Sequence, residues 1–506
     1  MHMHTLRILM KKMFVTAALC GVLSFEAPAA TQVWTAGGTG TFGDSTKYNG
    51  GVGPAPATND DVTSDGAGSV ITFGAANTIT LTSLQLNTVS GSTIFNHSGG
   101  DLTLTTLLFG GPAGTSPTYN FSSGNFNVTT TWTWGSGTTA NFNLSGGTVN
   151  TAAALSPGAA GAVGTITVSS GTFNHTNAVS QFRLGTTAGG VGNIVMTGGV
   201  FNSSTPQMRI GAAGNGTMTL SGNAVFNLPT AGTTYLGNNG ASGTLTMSGT
   251  SQFNASGHVL SVGQFGNNPG NQGVINMNGG TLTATRLALG GDNAASTIIG
   301  IVNLNAGTIS TGAIRLGASS IAASSTANVL HANGGTVQAV TNAFNSNFFQ
   351  GAFVDIQAGG LNFDTNGNAV TIANVMSGVG GLTKLGTGVL TLSGVNTYTG
   401  DTRVQAGTLS LSNIMLADAA DLFLTTGGIL DITFAGTDTI NQLFFDGVEQ
   451  STGTWGAAGS GAMFTSAFFT GTTGTLTVIP EPSTYALLGA GLMVLAFARR
   501  KRLAAV

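Results

Sequence analysis

The sequence predicts an all-β fold: a parallel β-helix solenoid, expected to be right-handed, with a signal peptide at its N-terminus and an apolar transmembrane stretch at its C-terminus. Three observations predict it. A glycine recurs about every 26 residues, short alternating segments keep the same beat, and the composition is rich in turn-forming residues and poor in charge.

Of 506 residues, 80 are Gly, 11 are Pro and one is Cys; 14 are Lys or Arg and 17 are Asp or Glu. With 41% apolar residues and a net charge of -3, the chain is not a disordered polyelectrolyte. Glycine does not fall at every third position, which excludes collagen, and a single cysteine excludes a disulfide scaffold. Nucleic-acid binding is not expected, because so few basic residues cannot build a face that displaces phosphate counterions.

The marker glycine follows an apolar or aromatic residue, or Pro in one copy, at Gly110, Gly135, Gly158, Gly185, Gly211, Gly237, Gly263, Gly290 and Gly317. A second marker keeps time with it in Ser145-Gly146-Gly147-Thr148, Ser170-Gly171-Thr172-Phe173, Thr197-Gly198-Gly199-Val200, Asn278-Gly279-Gly280-Thr281 and Asn333-Gly334-Gly335-Thr336. Alternating segments such as Thr165-Ile166-Thr167-Val168 and Thr217-Met218-Thr219-Leu220 read as strands with one face in and one out. A unit this small cannot bury its apolar face alone, so it must stack on copies of itself.

Stacking at about 4.8 Å sets equivalent residues above one another. Phe126, Val149, Phe173, Phe201, Phe226 and Phe253 then form an internal stack. Their neighbours Asn127, Asn150, Asn174, Asn202, Asn227 and Asn254 form either an amide ladder or a set of locally chosen turn residues. Handedness follows the strong preference of parallel connections. An array of β-sandwiches, the competing architecture, needs about 100 residues per domain and would not show this beat. Scarcity of charge fits stacking too, since a charged residue in register would meet its own copy one coil away.

The two ends read as addresses. Arg7, Lys11 and Lys12 precede the apolar run Met13 to Phe25, and Ala27-Pro28-Ala29 supplies the small residues of a cleavage site, the layout of a secretory signal. Cys20 leaves with it. At the other end Pro480-Glu481-Pro482 precedes an apolar stretch, Tyr485 to Ala498, and a basic cluster, Arg499-Arg500-Lys501-Arg502. The stretch is slightly short for a span, which tilt or thinning accommodates, and the cluster stays cytoplasmic as a membrane stop. These three ordered features resemble the PEP-CTERM sorting signal of Gram-negative bacteria. The resemblance implies a transmembrane sorting helix recognised, and cut, by an exosortase during export of proteins associated with extracellular polysaccharide. Losing both ends removes seven basic and two acidic residues and leaves a mildly acidic body.

Further along, Gly381-Leu382-Thr383-Lys384-Leu385-Gly386-Thr387-Gly388-Val389-Leu390-Thr391-Leu392-Ser393-Gly394 runs into Asn396-Thr397-Tyr398-Thr399-Gly400 and Gly407-Thr408-Leu409. This run resembles the autotransporter-associated β-strand repeat of β-helical passenger domains. A translocator barrel does not follow it, so export by other machinery is expected. The expected organisation is a signal peptide at 1–29, an N-terminal cap with the first strands at 30–97, and β-helix repeats at 98–377. The autotransporter-associated repeat follows at 378–412, a C-terminal β cap at 413–478 and the PEP-CTERM signal at 479–506. The acidic residues between Asp418 and Glu449 suggest that the second cap is well solvated.

Chemistry has few places to reside. From Ser98 to Thr341 the charged residues are Asp101, Arg183, Arg209, Arg286, Asp292 and Arg315. A β-helical polysaccharide lyase or hydrolase, the alternative function, needs carboxylates grouped on neighbouring coils, which one isolated Asp cannot supply. Arg183, Arg209 and Arg315 sit two residues before a marker glycine and so share a face; they are either contacts for acidic sugars or solvated surface arginines. His175, His258 and His331 lack a second ligand at metal spacing, and Asp60, Asp61 and Asp65 lack the loop of a calcium site. No catalytic residue, cofactor or metal is expected. The function expected is a noncatalytic exported surface or matrix protein, structural or adhesive, with an exosortase, the membrane before processing and extracellular polysaccharide as partners.

Overall fold

The structure, a computed structural model, describes residues 30–479 apart from 35–38, 49–54, 65–67, 75–76, 87–90, 160, 264–270, 291–297, 318–327 and 341–344. The expected signal peptide, Pro480, Glu481, Pro482, the apolar stretch and the basic cluster lie outside the described residues. Among the described residues there is no α-helix, and no helix is long and apolar enough to cross a membrane.

Each central coil supplies three strand segments, and each segment pairs in parallel with its counterpart on the next coil. Ile194 of Val191–Met196 lies between Ile166 and Met218, and Phe201 of Val200–Ser203 lies between Phe173 and Phe226. Ile210 of Gln207–Ile210 lies between Leu184 and Leu236. Alternation turns one side chain in and the next out, so the inward residues of the three segments fill one continuous core. The fold is therefore a parallel β-solenoid.

The marker glycines stand in register at the corner after the third segment, because the residues before them do: Leu184, Ile210, Leu236, Val262, Leu289 and Leu316 pair in succession. The corner needs glycine for two reasons. At Gly237 the backbone is left-handed (φ 73°), and a Cβ there would run into the Gln272 carbonyl of the next coil.

The expected internal stack is present and longer than the sequence suggested. It runs from Ile79 and Leu102 through Phe126, Val149, Phe173, Phe201, Phe226 and Phe253 to Leu282, Ile309, Val337 and Phe363. Phe173 and Phe201 stack at 4.3 Å and 8°, Phe226 and Phe253 at 5.5 Å and 4°. Burying each ring is worth about 1.5–3 kcal/mol, and each stacked pair adds about 0.5–1.5 kcal/mol.

Outside this stack the asparagines form a ladder rather than isolated turns. The Nδ2 of Asn150, Asn174, Asn202, Asn227 and Asn254 each donates to the Oδ1 of the Asn one coil earlier, at 2.8–2.9 Å. The column continues to Ser310, Gln338 and Asp364, where Ser310 Oγ donates to Gln338 Oε1 and Gln338 Nε2 to Asp364 Oδ2. A second ladder, Asn96, Asn120 and Asn143, was not foreseen.

Coil length changes along the chain. Successive members of the internal stack are 23–29 residues apart as far as Phe363, then 20 or 21 apart through Lys384, Val404, Leu424 and Phe445. At about 3.3 Å per residue the later coils are roughly 20 Å shorter in circumference. Val370–Ile372, Val389–Leu392, Gly407–Leu411, Gly428–Ile432 and Phe469–Thr470 form the separate sheet that walls them.

Both ends of the stack are covered. Trp34, Phe42 and Tyr48 are buried on the first coil, with Trp34 and Tyr48 edge to face at 5.3 Å and the Tyr48 hydroxyl donating to the Phe42 carbonyl. At the far end Val448–Glu449 folds back antiparallel on Leu443–Phe445, and Phe445 packs on Trp455 and Phe468. Reversal of strand direction ends the parallel ladder and protects its edge. The acidic stretch is not uniformly solvated: Asp438 is buried and accepts from the Met415 and Leu416 amides.

Phe226→Ala removes a ring from the middle of the stack and is expected to cost about 3–5 kcal/mol. Urea titration of the purified protein checks this; a loss below about 1 kcal/mol would mean that neighbouring rings do not depend on one another.

Candidate functional site

Pro480, Glu481 and Pro482, the residues expected to carry the sorting motif, follow directly on the last described residue. Gly474–Val478 pairs in parallel with Gly436–Ile440, and the Ile479 amide reaches the Ile440 carbonyl at 3.3 Å. Ile479 therefore stands at the closing end of the solenoid.

The segment resembling a passenger repeat builds the short coils, and its polar residues bind coils together. Lys384 occupies a position in the internal stack, between Phe363 and Val404, and is fully buried. Its Nζ donates to Thr365 Oγ1 (3.1 Å) on the coil before, to the Leu385 and Gly386 carbonyls (2.9 and 2.7 Å) on its own, and to the Ala406 carbonyl (2.9 Å) on the coil after. Burial lowers its pKa to about 8, with Asp364 opposing. Asn396 does similar work: its Oδ1 accepts from the Met376 amide at 2.8 Å and its Nδ2 reaches Met415 Sδ at 3.1 Å. Tyr398, buried, shares a 2.9 Å hydrogen bond with Thr402. Sequence reasoning missed the inward Lys384, because a lysine is ordinarily read as outward-facing.

On the outer side of these coils a cavity of about 350 Å³ is lined mainly by glycine backbone, with Thr383, Asp401 and Arg403 at its edge. Arg403 donates to Asp401 at 2.9 Å and lies 3.6 Å over the Phe423 ring, which stacks on Phe444. The Asp401 carboxylate is thus already paired, and it also accepts from the Asp421 amide on the next coil at 3.1 Å.

The arginines share a face as their spacing predicts. Arg183, Arg209, Tyr235, Ser261, Ala288 and Arg315 form one column on successive coils, so Arg183 and Arg209 are immediate neighbours. Each is held by a glutamine two residues earlier: Arg183 Nε donates to Gln181 Oε1 at 2.6 Å and Arg209 Nη2 to Gln207 Oε1 at 3.0 Å. Arg209 also lies 5.8 Å over the Tyr235 ring. Burial and the Arg183 charge both push its pKa down, against Tyr235.

The remaining candidates serve the fold. Asp60 is buried and accepts from the Ala30 and Ala57 amides, and Asp61 accepts from Ser83 Oγ at 2.6 Å; Asp65 lies outside the described residues. His175 is buried between Ser203 Oγ (2.8 Å) and the Ala153 carbonyl (3.0 Å), and His258 is buried beside Thr234. His331 meets Asp355, which the sequence did not connect with it, at 2.8 Å on the next coil. His97, not singled out from the sequence, is buried against Tyr119 Oη at 2.9 Å. Among the described residues no three His, Cys, Asp or Glu side chains are placed to hold a metal.

Fold and side chains together define a repeat solenoid whose polar groups are engaged mostly in stacking. Comparison with known proteins adds its address. The passenger-associated-transport-repeat family matches residues 382–411, and the PEP-CTERM protein-sorting motif matches residues 478–502. A curated relative, the Adhesin BmaC autotransporter of Brucella suis biovar 1 (strain 1330), is 43% identical over 56 residues, which make up 11% of this chain and 2% of that protein. No solved structure matches. The chain is an exported protein of the cell surface that carries a passenger-type repeat and a PEP-CTERM signal, and such a signal implies processing by an exosortase-type enzyme.

Two predictions follow from the buried groups. Lys384→Ala strands one hydroxyl and three carbonyls and is expected to cost about 3 kcal/mol or more, with Lys384→Met, which keeps the apolar stem, losing less. Hydrogen exchange should show amides of 382–411 losing protection while those of 163–262 keep theirs; equal loss in both would refute a local tie.

The second concerns acid. Burial lowers His97 and His175 to about 4, against 6.5 when unfolded, so the unfolded chain binds protons that the folded one refuses as pH falls from 6.5 towards 4. Stability should be flat above pH 7 and fall by up to roughly 3 kcal/mol per histidine over that window. The double variant His97→Gln/His175→Gln, followed by thermal melts at pH 7 and pH 4.5, should show a smaller difference than the parent.

Proposed function

We propose that this protein is a noncatalytic structural or adhesive element of the bacterial cell envelope. An exosortase-type enzyme reads Pro480, Glu481 and Pro482, and the apolar segment that follows, stopped by Arg499, Arg500, Lys501 and Arg502, holds the protein in the membrane until the tail is cut. The solenoid is then presented at the surface and released into extracellular polysaccharide. The domain division reads accordingly: signal at 1–29, N-terminal cap at 30–97, coils at 98–377, passenger-type repeat at 378–412, closing cap at 413–478 and sorting signal at 479–506.

One observation carries this reading. A PEP-CTERM motif matches from the final residue of the last described strand, in a solenoid whose charge is almost absent through its central coils. The adhesin name of the curated relative supports an adhesive role, and the passenger-type repeat supports presentation outside the cell. A stacked coil suits such a role physically, since backbone hydrogen bonds between coils make a long, stiff body from a simple repeat.

Cell fractionation with intact mass of the exported protein tests the sorting step. Loss of the signal and of everything after the Pro-Glu-Pro region is expected, and substitution of Pro480, Glu481 and Pro482 by alanine should leave the tail attached and the protein in the membrane fraction. A mature species that retains the basic tail would refute processing.

A further inference from the structure

Through the coils of this solenoid charge is avoided, and the reason is geometric: register brings each residue against its counterpart one coil away. Arg183 and Arg209 break that rule. Among the described register pairs they are the one like-charged pair, with their strands about 4.8 Å apart. Neither has a carboxylate partner among the described residues, where Arg403 pairs with Asp401 and His331 hydrogen-bonds Asp355. Gln181 and Gln207 nevertheless hold both guanidinium groups in place. Arg286 and Arg315 continue the same side of the solenoid.

An arrangement that fixes two like charges side by side without neutralising them is complementary to an external anion. A guanidinium offers a planar fork of donors, and two forks on adjacent coils suit acid groups repeated along an extended chain. Beside them Tyr235 supplies an aromatic ring, one side of which faces Arg209. The next residues of the column, Ser261 and Ala288, are small and put no ring or long side chain over its other side. Sugar rings pack on such surfaces through their apolar faces.

We propose that Arg183, Arg209 and Tyr235, set by Gln181 and Gln207, form a binding strip for an acidic, uronate-type polysaccharide that runs along the solenoid axis. This rests on the reading of the protein as a surface element in contact with matrix, and it specifies the chemistry of the matrix. Duplex DNA is the less suited polyanion: two neighbouring arginines on an acidic body release few counterions, and nothing in the column reads bases.

The test uses the purified exported protein with three probes in low salt: alginate, dextran as a neutral polymer, and duplex DNA. Binding to alginate that weakens steeply with added salt, with little binding to dextran, is expected. Arg183→Gln/Arg209→Gln should weaken alginate binding at least tenfold at an unchanged melting temperature. Arg183→Lys/Arg209→Lys, which keeps charge but loses the forks, should fall between the two. Equal affinity for alginate and dextran, stronger binding to DNA, or an unaltered Gln variant would each overturn the strip. Attachment of the protein to cells is measured in parallel: if the Gln variant attaches normally while alginate binding is lost, the strip stands and attachment uses another surface. If the parent attaches but binds no alginate, the surface role stands and the strip fails.

Discussion

Parallel pairing in register, coil upon coil, is the constraint from which the rest of this protein follows. It offers every side chain the company of its counterpart about 4.8 Å away, so a position is tolerable only if its residue tolerates itself. Phenylalanine does so by stacking rings, asparagine by passing one amide hydrogen bond to the next, glycine by allowing the corner that a Cβ would block. Charged residues do not, which is why so few occur in the central coils. Two charged sites are informative in opposite ways: Lys384 goes inward and is surrounded by oxygen, whereas Arg183 and Arg209 stay outward and are left as a pair.

Much of the architecture was legible because the corner glycine counts the coils. From Gly110 to Gly317 its spacing places the three segments, the internal stack and the arginine face, and offsets from it put Arg183, Arg209 and Arg315 in one column. The asparagines were legible as a series but not as a ladder, since a locally chosen turn residue and a bonded column leave the same trace in a chain. Past Gly317 the marker stops counting. The pairing of His331 with Asp355 and the shortening to coils of 20 or 21 residues could not be read for that reason. The glutamines that hold the arginines were missed as well, because nothing in residue type alone distinguishes a positioning Gln from a solvated one.

The passenger-type repeat gains a physical meaning from this. Its Leu positions line a narrower core, while Lys384 and Asn396 replace packing volume with hydrogen bonds between coils, and Tyr398 bonds Thr402 within its own. A coil of small circumference holds fewer large rings, so polar ties that span three coils take over part of what the phenylalanine stack does earlier. The fold-back that follows closes this narrow end, where Val448–Glu449 runs antiparallel to Leu443–Phe445.

The change in coil circumference also has a mechanical side. The bonds between coils run along the long axis, so tension applied between the two ends of the solenoid acts on them one turn at a time. Each turn that peels away frees a contour of about 80–90 Å from the wide part and about 65–70 Å from the narrow part. Its turns thus come in two contour lengths, and the interlaced polar ties of the narrow turns stand next to the closing end of the solenoid.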